Sequence, residues 1–162
     1  MKALFVSKRA LLALCLSASL FVISCDKDDD AIDDNTEVYA VSGSGTGAQV
    51  VPVVTTTATS SITGTYNTNN RNLQYTINWT GLAGAANAVR FYGPAAIGSN
   101  ATGDAQYNVS ITTAGITGSA TGDITLTAAQ ETDLLSGNWY YTVGNATYVA
   151  GEIRGQLVVS PQ

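Results

Sequence analysis

Residues 137–160 read GNWYYTVGNATYVAGEIRGQLVVS and decide the fold. Two runs within them alternate, residue by residue, between a set that should face a core and a set that should face water. The core-facing set comprises Trp139, Tyr141, Val143, Ile153, Gly155, Leu157 and Val159. The water-facing set comprises Asn138, Tyr140, Thr142, Glu152, Arg154, Gln156 and Val158. A period of two residues is that of a β-strand with one buried face. The stretch therefore predicts a hairpin that needs further strands to cover its apolar side.

The preceding residues repeat this alternation in short runs that end at Gly, Pro or Asn turns. The predicted strands span residues 38–42, 55–66, 72–80, 87–92, 106–112 and 116–126. Residues 43–47, GSGTG, are predicted to form a loop. Pro52 indicates an edge or a corner, because it has no backbone N–H to donate. Short strands with turn signals about every ten residues are typical of a sandwich or a barrel.

One segment departs from the strand period. Thr127 and Gln130 have the spacing of a capping box, and Gly137 is a suitable C-terminal stop. The pattern predicts one short helix over residues 128–136, packed by Leu134 and Leu135.

Composition excludes several classes of function. The 162 residues carry a net charge of −5 and no histidine. An acidic chain lacks the basic footprint that nucleic-acid binding requires, so no nucleic-acid partner is expected. Both cysteines, Cys15 and Cys25, precede the predicted strands, so the folded part has neither a disulfide nor a reactive thiol.

The N-terminus has the features of an export signal. Lys2, Lys8 and Arg9 form a positive region, and residues 10–23 form an apolar run that is short for a membrane span. The run ends in Val-Ile-Ser before Cys25, which resembles the lipobox of bacterial lipoproteins. By that resemblance residues 1–24 are a lipoprotein signal peptide, and a lipid on Cys25 attaches the chain to a membrane.

Residues 25–36, CDKDDDAIDDNT, are too charged and too poor in apolar groups to fold, so they are predicted to be a disordered acidic tether. Their Lys-Asp-Asp run resembles a surface-export signal of lipoproteins, and it equally fits a solvating spacer. The expected location is the outer membrane, with the domain at residues 37–162 facing either the periplasm or the cell surface.

Several segments of residues 38–159 resemble the CHRD domain, a family named after chordin and common in secreted bacterial proteins. They follow the order seen in that family: GAQVVP at 47–52, WTGL at 79–82, residues 88–95, residues 126–137 and GEIRGQL at 151–157. GEIRGQL after a capped helix is the specific part. The resemblance implies an all-β, immunoglobulin-like, Greek-key antiparallel sandwich, and it implies no established activity.

The chain departs from the family where histidines are common. The family often shows His-x-His-Gly-Pro-Ala where this chain has Arg90, Phe91, Tyr92 and then Gly-Pro-Ala, and another His near the position of Gly144. Such imidazoles could bind a metal, as in copper-zinc superoxide dismutase, which is also a sandwich. First-row metal sites prefer imidazole or thiolate ligands. No metal or other cofactor is therefore expected here.

Arg90 and Tyr92 share one predicted strand face, as do Glu152 and Arg154. If the strands adjoin, these four side chains form a polar cluster, with Glu152 as the expected partner of Arg90. The cluster is either a solvent-side ion pair that pins register or a recognition patch, since Arg and Tyr are common binding anchors. Tyr140 is predicted to face outward, where it could stack on a sugar or peptide or merely cover its neighbours.

No catalytic residue is proposed from the sequence. The chain has no His to activate a nucleophile, and its acidic residues are scattered. The expected function is therefore a lipid-anchored binding or scaffolding module of the cell envelope, not an enzyme, with an unknown protein or glycan ligand. The alternatives are a degenerate dismutase-like metalloenzyme fold and a purely structural envelope protein.

Overall fold

The computed structural model describes residues 37–162. The predicted signal peptide, Cys25 and the acidic tether lie outside the described residues. The strands are β1 (Val38–Thr46), β2 (Thr59–Asn67), β3 (Asn72–Thr80), β4 (Ala86–Tyr92), β5 (Tyr107–Val109), β6 (Gly118–Thr125), β7 (Tyr140–Asn145), β8 (Ile153–Gln156) and β9 (Val158–Pro161). A 3-10 turn (Gly47–Gln49) follows β1, and helix α1 (Ala128–Leu135) lies between β6 and β7. Within this range no helix has the length and hydropathy needed to cross a membrane.

All strand pairs among the described residues are antiparallel, and they form one continuous path in the order β5-β4-β7-β8-β1-β2-β3-β6. β1 lies in the middle of this path and joins its two halves. Its first half pairs with β9, while Gly45 and Thr46 pair with β8. The change of partner within one strand lets the sheet turn back over itself.

The core lies between the two halves of this sheet. Phe91 on β4 meets Tyr75 on β3 edge to face, with ring centroids 4.9 Å apart. The hydroxyls of Tyr141 on β7 and Ser60 on β2 are 2.9 Å apart and hydrogen-bonded. The inner faces of β4 and β7 therefore pack against those of β2 and β3.

The prediction of an all-β fold with one short helix is confirmed. β3 has the predicted bounds, and its inward residues Leu73, Tyr75, Ile77 and Trp79 are buried. The predicted capping box caps the N-terminus of α1: the side chains of Thr127 and Gln130 each accept a hydrogen bond from the other residue's backbone N–H. The immunoglobulin-like, Greek-key part of the prediction stays a prediction.

Two local predictions are wrong. Gly43 to Thr46 continue β1 and pair with β2, whereas a loop was expected at 43–47. Glycine suits this strand because a Cβ on Gly43 would lie 2.4 Å from the carbonyl oxygen of Gln156. Leu135 is largely solvent-exposed, so Leu134 alone of the helix leucines packs into the core.

The outer face of the terminal hairpin is also not water-facing as predicted. Tyr140, Thr142, Glu152 and Arg154 are all buried. The loop at 93–106, between β4 and β5, contacts this face at two points: the backbone N–H of Ala101 donates to the Tyr140 hydroxyl at 3.2 Å, and the Gln156 amide donates to the Ala95 carbonyl at 3.1 Å. Long connections elsewhere in the chain therefore cover a strand face whose local pattern indicated solvent.

Candidate binding recess

Three neighbouring strands place polar and aromatic side chains in two rows on the outer face of the sheet. In the first row Arg90 on β4 is opposite Thr142 on β7, which is opposite Arg154 on β8. In the second row Tyr92, Tyr140 and Gln156 are opposite one another in the same way. Side chains opposite on one face of antiparallel strands are close neighbours. Of the predicted cluster of Arg90, Tyr92, Glu152 and Arg154, this register places Arg90, Tyr92 and Arg154 on these neighbouring strands, with Tyr140 opposite Tyr92.

Arg154 is a buried cation without an acidic partner among the described residues. It is 2% exposed, and the one ion pair in this part of the chain joins Arg71 to Glu131 at 3.0 Å. Its Nη1 donates to Asn100 Oδ1 at 3.4 Å, and its Nη2 donates to Gln156 Oε1 at 3.2 Å. Burial lowers the pKa of the Arg154 guanidinium from its ordinary value. The group still stays charged at neutral pH, because that ordinary value is so high.

The aromatic rings of Tyr140 and Tyr92 support this cation. The Arg154 guanidinium carbon lies 3.6 Å from the centroid of the Tyr140 ring, within the range of a cation–π contact. Tyr140 also stacks on Tyr92 with centroids 5.2 Å apart and planes inclined by 12°. Tyr140 lies on the outer face of the sheet, as predicted, but it is not exposed there, because Arg154, Tyr92 and the loop at Ala101 bury it.

Arg154 lines two cavities. The larger has a volume of about 370 Å³ and includes Gln156, Gly98, Ile97 and residues 48–53. The smaller, of about 200 Å³, includes Tyr92, Tyr140 and Thr142. Val50, Val51 and Arg154 belong to both, so the two cavities are parts of one recess, which we call the Arg154 recess. The larger volume falls at the lower end of the range of small-molecule sites.

Thr142 contributes an unused donor to the recess. It is buried, and its Oγ1 has no hydrogen-bond partner among residues 37–162. A buried hydroxyl without a partner costs free energy, and such groups are rare in native proteins. Its position opposite Arg154 places this donor beside the uncompensated charge.

Glu152 lies outside this recess and does not pair with Arg90, so the predicted pairing of the two is wrong. The fully buried Glu152 carboxylate accepts from the Ala83 backbone N–H at 2.9 and 3.1 Å, from the Thr56 hydroxyl at 2.6 Å and from the Asn145 amide at 2.5 Å. These contacts join three separate segments of the chain. Glu152 precedes the first residue of β8, and its side chain is drawn to these loops instead of toward Arg90.

Arg90 has neutral partners. Its Nε donates to Asn108 Oδ1 at 3.2 Å, and its Nη1 donates to the Val149 carbonyl at 3.0 Å. The predicted ion pair between Arg90 and Glu152 is therefore absent, and each of the two side chains has its own set of neutral hydrogen-bond partners.

Sequence reasoning missed the residues that complete the recess: Thr142, Gln156, Asn100 and the loop at 48–53. One signal was available for the loop. Residues 50–54 read VVPVV, an apolar run broken by Pro52 and thus unsuited to a central strand. In the structure Val51 and Val53 on this run remain exposed, beside the cavity.

The positions where the family resemblance implies histidines are neighbours in the structure. Ala88 is opposite Gly144 and Arg90 is opposite Thr142 on β4 and β7. This chain places an arginine, a tyrosine and a glycine there, at positions 90, 92 and 144. Within the described residues no cluster of three or more His, Cys, Asp or Glu side chains is arranged to hold a metal ion.

Comparison with known proteins agrees with the segment order described for the sequence. The family of the CHRD domain matches residues 41–157, from β1 through the residue after β8. The comparisons with curated proteins and with solved structures found no match. The match covers well over half of the chain and all three strands of the recess, and the chain therefore belongs to the CHRD domain family.

Proposed function

We propose that this protein is a binding module of the cell envelope, attached to the membrane through a lipid on Cys25, and that the Arg154 recess is its ligand site. The observation that carries the proposal is the buried guanidinium of Arg154. It has no acidic partner in residues 37–162, and it lines two cavities. Burying a charge is costly unless it is paired. An unpaired buried charge that lines a cavity is suited to bind a ligand that enters the cavity.

The exposed apolar residues support the same site. Val51, Val53 and Ile97 are large hydrophobic residues that remain exposed, and all three line the larger cavity. Clustered exposed apolar residues next to polar groups are typical of binding sites. The ligand is expected among the proteins, glycans and small molecules of the envelope.

Export and anchoring rest on the N-terminal sequence. The positive residues, the apolar run and the Val-Ile-Ser-Cys ending support a lipoprotein signal with Cys25 as the modified residue. The acidic residues that follow would hold the domain away from the outer-membrane surface. No observation in residues 37–162 favours the dismutase-like alternative or the purely structural one.

The fold fits the immunoglobulin-like, Greek-key sandwiches better than a plain meander. Support comes from β1, which pairs with β9 along its first half and with β8 at its end. A strand that changes partner in this way carries the chain between two facing layers. The contacts between Phe91 and Tyr75 and between Tyr141 and Ser60 cross the space between those layers.

Hydrogen exchange of the full chain, with and without a soluble envelope extract, tests the proposed site. We expect slower exchange in residues 48–53, 95–101 and 140–142, because a bound ligand would hold the loops against β7. The loop at 67–71 is the internal control and should be unchanged. Protection confined to other segments, or none at all, would contradict the assignment of the site.

A further inference from the structure

The chemistry of the Arg154 recess narrows its ligand to one class. We propose that it binds a small monocarboxylate with an apolar body, its carboxylate held by Arg154 and Thr142 and its body in the 370 Å³ cavity. This inference rests on the proposed function, because it names the ligand class of the same site.

The acceptors around Arg154 leave room for a stronger one. Its bonds to Asn100 and Gln156, at 3.4 and 3.2 Å, are longer than the 2.7–2.9 Å or so that is typical of a guanidinium with a carboxylate. Both acceptors are neutral amide oxygens. A carboxylate could replace one of them and form a shorter, charge-assisted pair, while the contact with the Tyr140 ring remains in place.

The charge of the recess matches one negative charge. Among residues 37–162 the other basic side chains are Arg71, which is paired with Glu131, and Arg90, which is held by Asn108 and the Val149 carbonyl. Arg90 lines neither cavity, so Arg154 is the one guanidinium without an acidic partner that faces the ligand. The net charge of the chain is −5, which opposes the approach of a dianion such as a phosphate monoester.

Thr142 provides the second donor for a two-oxygen group. Its Oγ1 is buried and has no partner among the described residues, and the residue lines the smaller cavity together with Arg154. A carboxylate has two oxygens that accept hydrogen bonds. One oxygen can accept from the guanidinium and the other from the Thr142 hydroxyl, which would relieve the cost of leaving that hydroxyl unpaired.

The apolar body is indicated by the other side of the recess. Val51, Val53 and Ile97 line the larger cavity, and Ile97 is 82% exposed. At roughly 30 Å³ for each atom-sized unit, as for a molecule of liquid water, the cavity accommodates about a dozen non-hydrogen atoms. That size suits a medium-chain or single-ring carboxylic acid.

Equilibrium dialysis of the full chain with radiolabelled octanoate tests the inference. The processed protein is held in phospholipid vesicles and not in detergent, because a detergent tail would compete for the cavity, and vesicles without protein give the background. We expect saturable binding of one octanoate for each chain. Octanol, which has the same body and no charge, and acetate, which has the head group and no body, should each compete at least about tenfold more weakly, the equivalent of one lost charge-assisted bond.

Three variants locate the binding. Arg154→Gln should weaken octanoate binding about tenfold or more. Thr142→Val keeps the side-chain shape and removes the unpaired hydroxyl, so it should weaken binding several-fold while raising the thermal midpoint of the free protein. Ile97→Asn should also weaken binding, whereas the matched control Ile116→Asn, exposed outside the recess, should not.

The inference is overturned if octanoate shows no saturable binding, if octanol competes as well as octanoate, or if Thr142→Val and Ile97→Asn bind like the unmodified protein. These last two variants decide the matter even if Arg154→Gln does not fold. If octanoate does not bind but envelope extract still slows hydrogen exchange in the recess, the recess remains the ligand site and the proposed ligand class, a monocarboxylate, is wrong.

Discussion

At the scale of single residues, two charges two positions apart have separate roles. Glu152 is fully buried and joins Thr56, Ala83 and Asn145 through hydrogen bonds. Arg154 is equally buried, but it meets the Tyr140 ring and two amide oxygens. The first arrangement satisfies its charge and stabilises loops, while the second leaves its charge available to a ligand.

Glu152→Ala should therefore be strongly destabilising. The substitution leaves the Ala83 N–H, the Thr56 hydroxyl and the Asn145 amide without their shared acceptor. We expect a loss of about 2–4 kcal/mol in the free energy of unfolding, since bonds to charged groups contribute about 1.5–3 kcal/mol each and are not additive. Urea unfolding of the full chain measures this loss.

Glu131→Ala is the matched control for Glu152. Glu131 pairs with the half-exposed Arg71 at 3.0 Å, and such a surface pair contributes about 1 kcal/mol or less. A double-mutant cycle on Arg90 and Glu152 should show a coupling energy near zero, because their partners are different. Equal losses for the two glutamates, or a coupling above about 1 kcal/mol, would disprove this assignment of roles.

At the scale of secondary structure, β1 shows why glycine-rich composition misled the loop prediction. Gly43 and Gly45 lie where β1 passes close to β2 and β8. A Cβ on Gly45 would lie 2.2 Å from Ser60 Oγ and 3.1 Å from the Arg154 carbonyl. These glycines are needed for close approach and not for chain flexibility, and only the partner strands reveal that need.

Gly43→Ala should destabilise the domain by about 1–3 kcal/mol, the usual cost of overpacking. The added Cβ would meet the Gln156 carbonyl at 2.4 Å, and a backbone atom cannot rotate away. Gly84→Ala is the control, since the nearest atom to its Cβ would be 3.8 Å away. Thermal unfolding of both variants provides the comparison, and similar midpoints for the two would contradict the close-approach explanation.

The parts of the fold that could be predicted are those with local causes. β3 was predicted within its bounds because its alternation is uninterrupted, and α1 because a capping box is a local pattern. The burial of Tyr140 and Arg154 could not be predicted, since the residues that cover them come from 48–53 and 95–101. The same distant loops complete the recess, so its Arg154, Tyr92 and Tyr140 could be named from the sequence but the loops that enclose them could not.

At the scale of the whole molecule, buried tyrosines couple stability to alkaline pH. Burial raises the pKa of Tyr141 to about 12, and it also raises the pKa of Tyr75. In the unfolded chain tyrosine has a pKa near 10, so unfolding releases protons above that pH. This stabilisation is complete below about pH 10 and is lost as the pH rises toward 12.

We therefore expect the free energy of unfolding to decline between about pH 10 and pH 11.5 in urea titrations. Tyr141→Phe should be less stable at pH 8, where it leaves Ser60 without its hydrogen-bond partner. It should also show a shallower decline, because its ring cannot ionise. A decline of the same steepness in both proteins would exclude Tyr141 as a cause.

The proposed anchoring through Cys25 is also tested on the whole chain. Cys25→Ala should abolish incorporation of radiolabelled palmitate and leave the protein unprocessed or soluble, because the modified thiol is lost. Cys15→Ala is the matched control, since Cys15 lies in the apolar run that is removed with the signal. If the Cys25→Ala protein is correctly cleaved and is still recovered in the membrane fraction, the lipobox interpretation is wrong.

The central claim is that the Arg154 recess is a ligand site. A crystal structure of the protein with 8-bromooctanoate tests it most directly, because the anomalous signal of bromine locates the far end of the ligand. We predict a bromine peak beside Val53 and Ile97, with the carboxylate within hydrogen-bonding distance of Arg154 and Thr142. A peak elsewhere on the domain, such as the open groove between Thr63 and Asp123, or no peak at all, would contradict the account.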